Sequence, residues 1–104
     1  MIIEYLRYQL ESPATCEDFE QAYLVAMKIL RRSPHCLAVE MAQCQDVPTD
    51  YIVRIDWDSV AGHIEGFRKS ADFPAFLAQV RNYIPYMPEM RHYQLKMASE
   101  APTA

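Results

Sequence analysis

The chain has 104 residues, of which 51% are hydrophobic and 23% are charged, as is typical of one soluble globular domain. Its net charge of -4 argues against a nucleic-acid partner or a membrane surface, because both are bound by clustered Lys and Arg. No signal-peptide pattern opens the chain and no apolar run has the length of a membrane span, so we expect a cytoplasmic location.

The chain contains three cysteines, an odd number that does not suggest a disulfide framework. Cys36 and Cys44 fall in one predicted strand, which would place their α-carbons ~26 Å apart at ~3.3 Å per residue. A disulfide needs ~4.4–6.8 Å. We therefore expect free thiols.

The N-terminal third predicts a strand followed by a helix. Residues 1–10 are rich in β-branched and aromatic residues, which favour strands. Residues 11–15 are of types that are common in turns. Thr15 and Asp18 resemble a capping box. Apolar residues then recur at helical spacing, and the helix should end before Pro34.

Two strands with period-two alternation follow, over 35–44 and 51–57. In the first, Leu37, Val39 and Met41 are predicted to share one face, with Cys36 on the other. The short turn between the strands indicates an antiparallel hairpin. Ser59 is predicted to cap the N-terminus of a helix that ends at about residue 69. Asp72 is predicted to cap a second helix in the same way.

A last strand is predicted over 89–97. The order β-α-β-β-α-β indicates an α+β, ferredoxin-like domain with a four-stranded antiparallel sheet over residues 1–97. Residues 98–104 should form a flexible tail. The outer sheet face mixes Ile52 and Cys36 with charges of both signs, which favours a homodimer packed sheet against sheet.

Among the residues that can carry chemistry, His63 stands out. It precedes Phe67 by one helical turn, so both should face a pocket bordered by Trp57 and Phe76. Burial would keep the imidazole neutral and able to accept a proton. A core histidine with one hydrogen bond is the alternative. Arg68 either holds an anionic substrate or caps a carbonyl.

The sequence lacks the motifs of metal sites, nucleotide-binding loops and nucleophilic catalysis. The three histidines form no paired metal-binding motif, and no Cys-x-x-Cys occurs, so we expect no metal. With two glycines in all, no phosphate-binding loop or nucleophile elbow is present. Nucleotide, flavin and nicotinamide cofactors are therefore not expected.

Several segments resemble the antibiotic biosynthesis monooxygenase family: W-x-S at Trp57 and Ser59, then "GHIEGFRKSADFPAF", and a final "EMRHY", together with "EYLRYQL", "SPHCLAVEMAQC" and "YIVRIDW". The resemblance implies a dimeric α/β barrel with a cavity between sheet and helices. It also implies a substrate that, once deprotonated, reacts with O2 without a cofactor.

From this resemblance we predict a monooxygenase acting on a small aromatic, quinol-like or enolisable molecule. His63 would be the proton acceptor, and Arg68 or His92 would stabilise the anion. The predicted substrate-binding residues are Tyr23, Trp57, Phe67, Phe76, His35 and Tyr93. The alternative is a non-catalytic module that binds a small ligand or a partner, such as a haem or globin protein.

The haem-degrading branch of the family is disfavoured. That branch has an Asn on the first strand, a Trp on the helix after W-x-S and a His on the next helix. Here the first strand has no Asn, and the two helical positions correspond to Phe67 and Leu77.

Overall fold

The computed structural model describes residues 1–99 and places four strands and two α-helices in the predicted order. These elements are β1 (Ile2–Gln9), α1 (Cys16–Leu30), β2 (Cys36–Gln43), β3 (Asp50–Trp57), α2 (Asp72–Val80) and β4 (Glu89–Gln94). A π-helical segment, Gly62–Phe67, lies between β3 and α2, and short 3-10 helices cover Pro13–Thr15 and Arg81–Tyr86.

The sheet has the strand order β2-β3-β1-β4, and every neighbouring pair is antiparallel. The predicted α+β, ferredoxin-like fold is therefore confirmed. In the centre of the sheet, Glu4 of β1 is paired with Ile55 of β3 on one side and with His92 of β4 on the other. This register aligns side chains from three strands on the face that the helices cover.

An aromatic cluster fills the core between α1 and the sheet. The fully buried Phe19 ring lies with its centroid 4.8 Å from that of Tyr8 and 5.0 Å from that of Tyr51. Tyr23 and Tyr83 complete the cluster at 5.1 and 5.0 Å. Tilted and edge-on ring pairs of this kind add stabilisation beyond their buried area.

The predicted alternation in β2 is wrong at its start. Cys36 is 5% exposed and belongs to the core, whereas Leu37 is 48% exposed. The cause is a bulge, because the register with β3 shifts between Cys36 and Ala38. One extra residue in a strand reverses which side chains face inward. Val39 and Met41, beyond the bulge, pack against the core as predicted.

The predicted helix caps have mixed outcomes. The Ser59 hydroxyl accepts a hydrogen bond from the Gly62 N–H at 2.9 Å, which confirms this N-cap. Thr15 forms no such bond to α1, because its hydroxyl is bonded to the Ser12 carbonyl at 2.7 Å. Asp72 is the first residue of α2 rather than its cap, and its carboxylate contacts Arg32.

His35 packs directly on the two glycines of the π-helical segment. A Cβ added to Gly66 would lie 2.5 Å from Cδ2 of His35, and one added to Gly62 would lie 2.9 Å from its Cβ. The His35 ring is also held by Asp58, with Nδ1 and Oδ2 2.8 Å apart. Glycine is therefore required here by close packing.

We accordingly expect Gly66→Ala to lower the free energy of unfolding by about 1 kcal/mol or more. Overpacking costs about 1–3 kcal/mol, while a better helix former returns at most about 1 kcal/mol. Urea denaturation measures the change. Adding His35→Ala to the Gly66→Ala variant should recover stability, and a double variant less stable than the single one would contradict the packing explanation.

The outer sheet face is mixed, as the sequence indicated. Ile52 is exposed, Arg54 donates to Asp56 at 2.9 Å, and Tyr5 and Tyr93 pack edge to face. The homodimer stays a prediction. Among residues 1–99, no helix combines the length and apolarity that crossing a bilayer requires. Of the predicted tail, residues 98 and 99 are exposed and 100–104 lie outside the described residues.

Candidate active site

A cavity of about 470 Å³ lies between the inner face of the sheet and the helices. Its size is within the usual range for small-molecule sites. Its walls are mainly apolar and aromatic, and they include the predicted Trp57, Phe67, Phe76 and Tyr23. Three groups that can carry charge also reach it: Glu4, His63 and Arg68. The cavity thus combines apolar walls with a small ionisable cluster.

His63 lies at the cavity wall and is 4% exposed. Its ring stacks on the indole of Trp57, with centroids 4.5 Å apart and planes inclined by 13°. Its Nδ1 is 2.7 Å from Nε2 of His92, a hydrogen-bond distance. Its Nε2 is 3.6 Å from Oε1 of Glu4, which is too long for a hydrogen bond.

Arg68 is brought beside His63 by the π-helical segment. The Arg68 N–H donates to the His63 carbonyl at 3.0 Å, which is the five-residue spacing of a π-helix. In an α-helix, residues five apart point in different directions. The wider turn places both side chains, together with Phe67, at the cavity.

Glu4 is the functional candidate that the sequence analysis missed. It is 3% exposed, and its Oε1 accepts a hydrogen bond from Nε1–H of Trp57 at 2.9 Å. The sequence did contain a sign of its role. Glu4 has the same two-residue spacing as Leu6 and Tyr8, which places it on the core-facing side of β1. Buried carboxylates are rare without partners, so a charged residue on that face indicates a site.

The environment sets the protonation of this cluster. Burial, and then electrostatic repulsion from Arg68 and from a protonated His92, lower the pKa of His63 to about 4. The pKa of His92 is lowered by burial and by Arg68. Burial raises the pKa of Glu4, opposed by the Trp57 hydrogen bond and by Arg68. Both imidazoles are therefore neutral at neutral pH, with a cation close by.

Tyr8 and Tyr23 form a second polar group in the cavity wall. Their hydroxyls are hydrogen-bonded to each other. Burial raises the pKa of Tyr8 to about 12 and raises that of Tyr23 well above its usual range. Both phenols therefore stay protonated and offer hydrogen bonds rather than charge.

Two of the predicted substrate-binding residues lie away from the cavity. Tyr93 packs against Tyr5 on the outer sheet face, with ring centroids 5.6 Å apart. The bonds of His35 to Asp58 and its packing on the glycines hold it on the far side of the π-helical segment. Neither residue lines the cavity, and both drop out of the proposed site.

The ionisable cluster also has the composition of a cation site. Glu4, His63 and His92 offer ligand atoms that all lie within 4.8 Å of one another. However, Nδ1 of His63 and Nε2 of His92 are bonded to each other, and a cation would have to break that bond. We interpret the cluster as a hydrogen-bonded network.

The sequence of the chain matches a known protein family. The model of the antibiotic biosynthesis monooxygenase family matches residues 1–79. The chain belongs to this family. The matched part of this antibiotic biosynthesis monooxygenase domain contains Glu4, His63 and Arg68, whereas His92 on β4 lies beyond it.

The chain is also similar to solved structures and to one further protein. A Bordetella bronchiseptica protein assigned to the antibiotic biosynthesis monooxygenases is 27% identical, with a TM-score of 0.80 over 92% of this chain and 97% of its own. SnoaB of Streptomyces nogalater, a cofactor-independent oxygenase, shares the fold at 12% identity. Its TM-score is 0.70 over 98% of this chain and 97% of its own. The uncharacterised YczJ of Bacillus subtilis is 23% identical over 78 residues, covering 75% of this chain and 82% of that protein.

Proposed function

We propose that the chain is an oxygenase that oxidises a small aromatic, quinol-like or enolisable molecule with O2 and needs no bound cofactor. The observation that carries this proposal is a buried, neutral imidazole beside a cavity with mainly apolar walls. Membership of a family described as monooxygenases supports it, as does the shared fold of SnoaB, described as a cofactor-independent oxygenase.

The reaction requires little from the protein beyond binding, proton removal and exclusion of water. His63 accepts the proton of a phenolic or enolic hydroxyl. The electron-rich anion that remains is the species that gives an electron to O2, and Arg68 stabilises its negative charge. The apolar walls keep water away from the reactive intermediates.

The two polar groups of the cavity indicate the shape of the substrate. Glu4 and Tyr8 are four residues apart on β1, which corresponds to ~13 Å at ~3.3 Å per residue. A molecule with an acidic hydroxyl at the His63 end and a hydrogen-bonding group at the Tyr8 end fits this spacing. Flat rings between them would pack on Trp57 and Phe67, which line the wall.

The alternative, a non-catalytic binding module, predicts a packed interior or a cavity without a titratable group. Within residues 1–99 the protein instead has a cavity with a titratable cluster. This contrast favours catalysis.

Filling the cavity should strongly reduce turnover. Leu77 lines the cavity from α2 and is only partly buried, so Leu77→Trp should block the substrate with limited damage to the fold. We expect kcat/KM for oxygen uptake with a panel of quinols to fall about tenfold or more, because an excluded substrate loses its binding energy. An oxygen electrode measures the rate.

Leu24→Trp is the matched control, because Leu24 is exposed on α1 and does not line the cavity. It should keep the wild-type rate. Equal rates for Leu77→Trp and wild type would place the reaction elsewhere. Oxygen uptake by the wild type no faster than spontaneous oxidation, for every quinol tested, would refute the proposed function.

A further inference from the structure

The hydrogen-bonded network extends from the cavity towards the surface. His63 is buried at the cavity wall, whereas His92, its hydrogen-bond partner, is only partly buried. On the cavity side, Glu4 faces Nε2 of His63 and is held by Trp57. Two imidazoles in series thus connect a water-poor cavity to solvent.

The geometry constrains where the protons lie. Two neutral imidazoles at 2.7 Å must include one donor and one acceptor. If His63 donates from Nδ1, its Nε2, on the side of the cavity-lining Glu4, carries a lone pair and can accept a proton from a ligand. If His92 donates instead, Nε2 of His63 carries a hydrogen and cannot accept one. Only the first arrangement allows His63 to act as a base.

We propose that His63 and His92 form a proton relay that carries the substrate proton from the cavity to solvent, and that Glu4 is the residue that positions His63 and balances its transient charge. This inference rests on the proposed function. It adds Glu4 to the machinery and gives His92 the role of proton exit rather than that of an anion-stabilising partner.

The proton balance of the relay is simple. The substrate hydroxyl gives its proton to Nε2 of His63, which already carries a proton on Nδ1 and becomes an imidazolium. The Nδ1 proton passes to Nε2 of His92, and His92 releases its own Nδ1 proton to water. One proton leaves the substrate and one reaches solvent. The relay is reset by the reverse transfers: His92 takes a proton from water on Nδ1 and gives its Nε2 proton to Nδ1 of His63, and His63 gives its Nε2 proton to the reduced-oxygen anion formed in the cavity.

Glu4 lowers the energy of the His63 imidazolium, the intermediate of this relay. An imidazolium in a buried site is disfavoured by burial and by the nearby Arg68. The Glu4 carboxylate, 3.6 Å from Nε2 of His63, offers the compensating negative charge. Its hydrogen bond from Trp57, on which His63 also stacks, fixes the relative positions of carboxylate and imidazole.

The first test does not depend on turnover. Nitrogen-15 NMR distinguishes the two tautomers of a neutral histidine. We expect His63 of the wild type to carry its proton on Nδ1, and to lose this preference in His92→Ala. A wild-type His63 protonated on Nε2 would overturn the relay, whether or not the protein oxidises quinols.

The second test uses kinetics with any quinol that the wild type oxidises. His92→Ala should lower kcat about tenfold or more and leave KM within about twofold, and imidazole added to the buffer should restore the rate. Gln94→Ala, an exposed neighbour on β4, is the control. A kcat unchanged in His92→Ala, or a reduced kcat that imidazole does not restore, would overturn the role of His92 as proton exit.

Glu4 is tested by removing its charge while keeping its shape. Glu4→Gln retains an oxygen for Trp57, so the fold should persist, but kcat should fall about tenfold or more with little change in KM. Glu4→Asp should recover part of the loss. Glu40→Gln, an exposed carboxylate on β2, should have no effect. Wild-type kcat in Glu4→Gln would remove Glu4 from the relay.

Discussion

Replacement of His63 by Gln should lower oxygen-dependent turnover about 10²- to 10⁴-fold, the usual contribution of a general base. The amide keeps a polar group beside Trp57 and His92 but cannot accept a proton. Because burial and Arg68 hold the pKa of His63 near 4, the neutral, reactive form predominates at neutral pH. On the acid side, turnover should therefore fall first as Glu4, whose pKa is raised by burial, becomes protonated, and again as the pH decreases towards about 4 and His63 becomes protonated.

The same variant is checked in three ways. Oxygen uptake with quinols gives the loss of rate, and NMR titration of the His63 ring gives the pKa directly. His35→Gln, whose ring lies outside the cavity, should retain the wild-type rate. Unchanged turnover in His63→Gln would remove this residue from the mechanism, while a His63 pKa near the ordinary 6.5 would show that the imidazole is not desolvated.

Phe19→Ala should lower the free energy of unfolding by about 3–5 kcal/mol, the usual loss for a buried Phe. Its ring is fully buried and contacts four tyrosines, so truncation leaves a cavity and removes several aromatic pairs at once. Small domains have only about 5–15 kcal/mol of stability. The variant should therefore lose a substantial part of the stability of the domain.

Urea denaturation followed by circular dichroism measures this loss. Val25→Ala is the matched control, since Val25 lies exposed on the same helix, and its effect should stay below about 0.5 kcal/mol. A loss for Phe19→Ala as small as that of the control would mean that the aromatic cluster does not hold α1 to the sheet.

The sequence was sufficient for the fold because its local patterns agree with one another. The alternation in 51–57 places Tyr51, Val53, Ile55 and Trp57 inward, and the structure confirms each of them as buried. The helical spacing of Phe19, Tyr23, Ala26 and Leu30 likewise corresponds to the buried face of α1. Patterns of period two and 3.6 directly record which face meets the core.

The features that were missed depend on contacts between distant segments. The bulge that turns Cys36 inward is a property of the pairing between β2 and β3, and no local pattern indicates it. Glu4 meets Trp57 and His63 only after β1, β3 and the π-helical segment have come together. His35 was predicted to bind substrate, and its packing on two glycines became visible only in three dimensions.

The wide turn between His63 and Arg68 has a consequence for chain length. Deletion of one residue between His63 and Arg68 would return the backbone to the usual α-helical winding of about 100° per residue. The guanidinium of Arg68 would then rotate out of the cavity. A homologue that lacks this one residue would keep the aromatic walls of the cavity but not its cation. Its cavity would suit an uncharged ligand. The charge that the cavity offers to a ligand thus depends on the number of residues between His63 and Arg68.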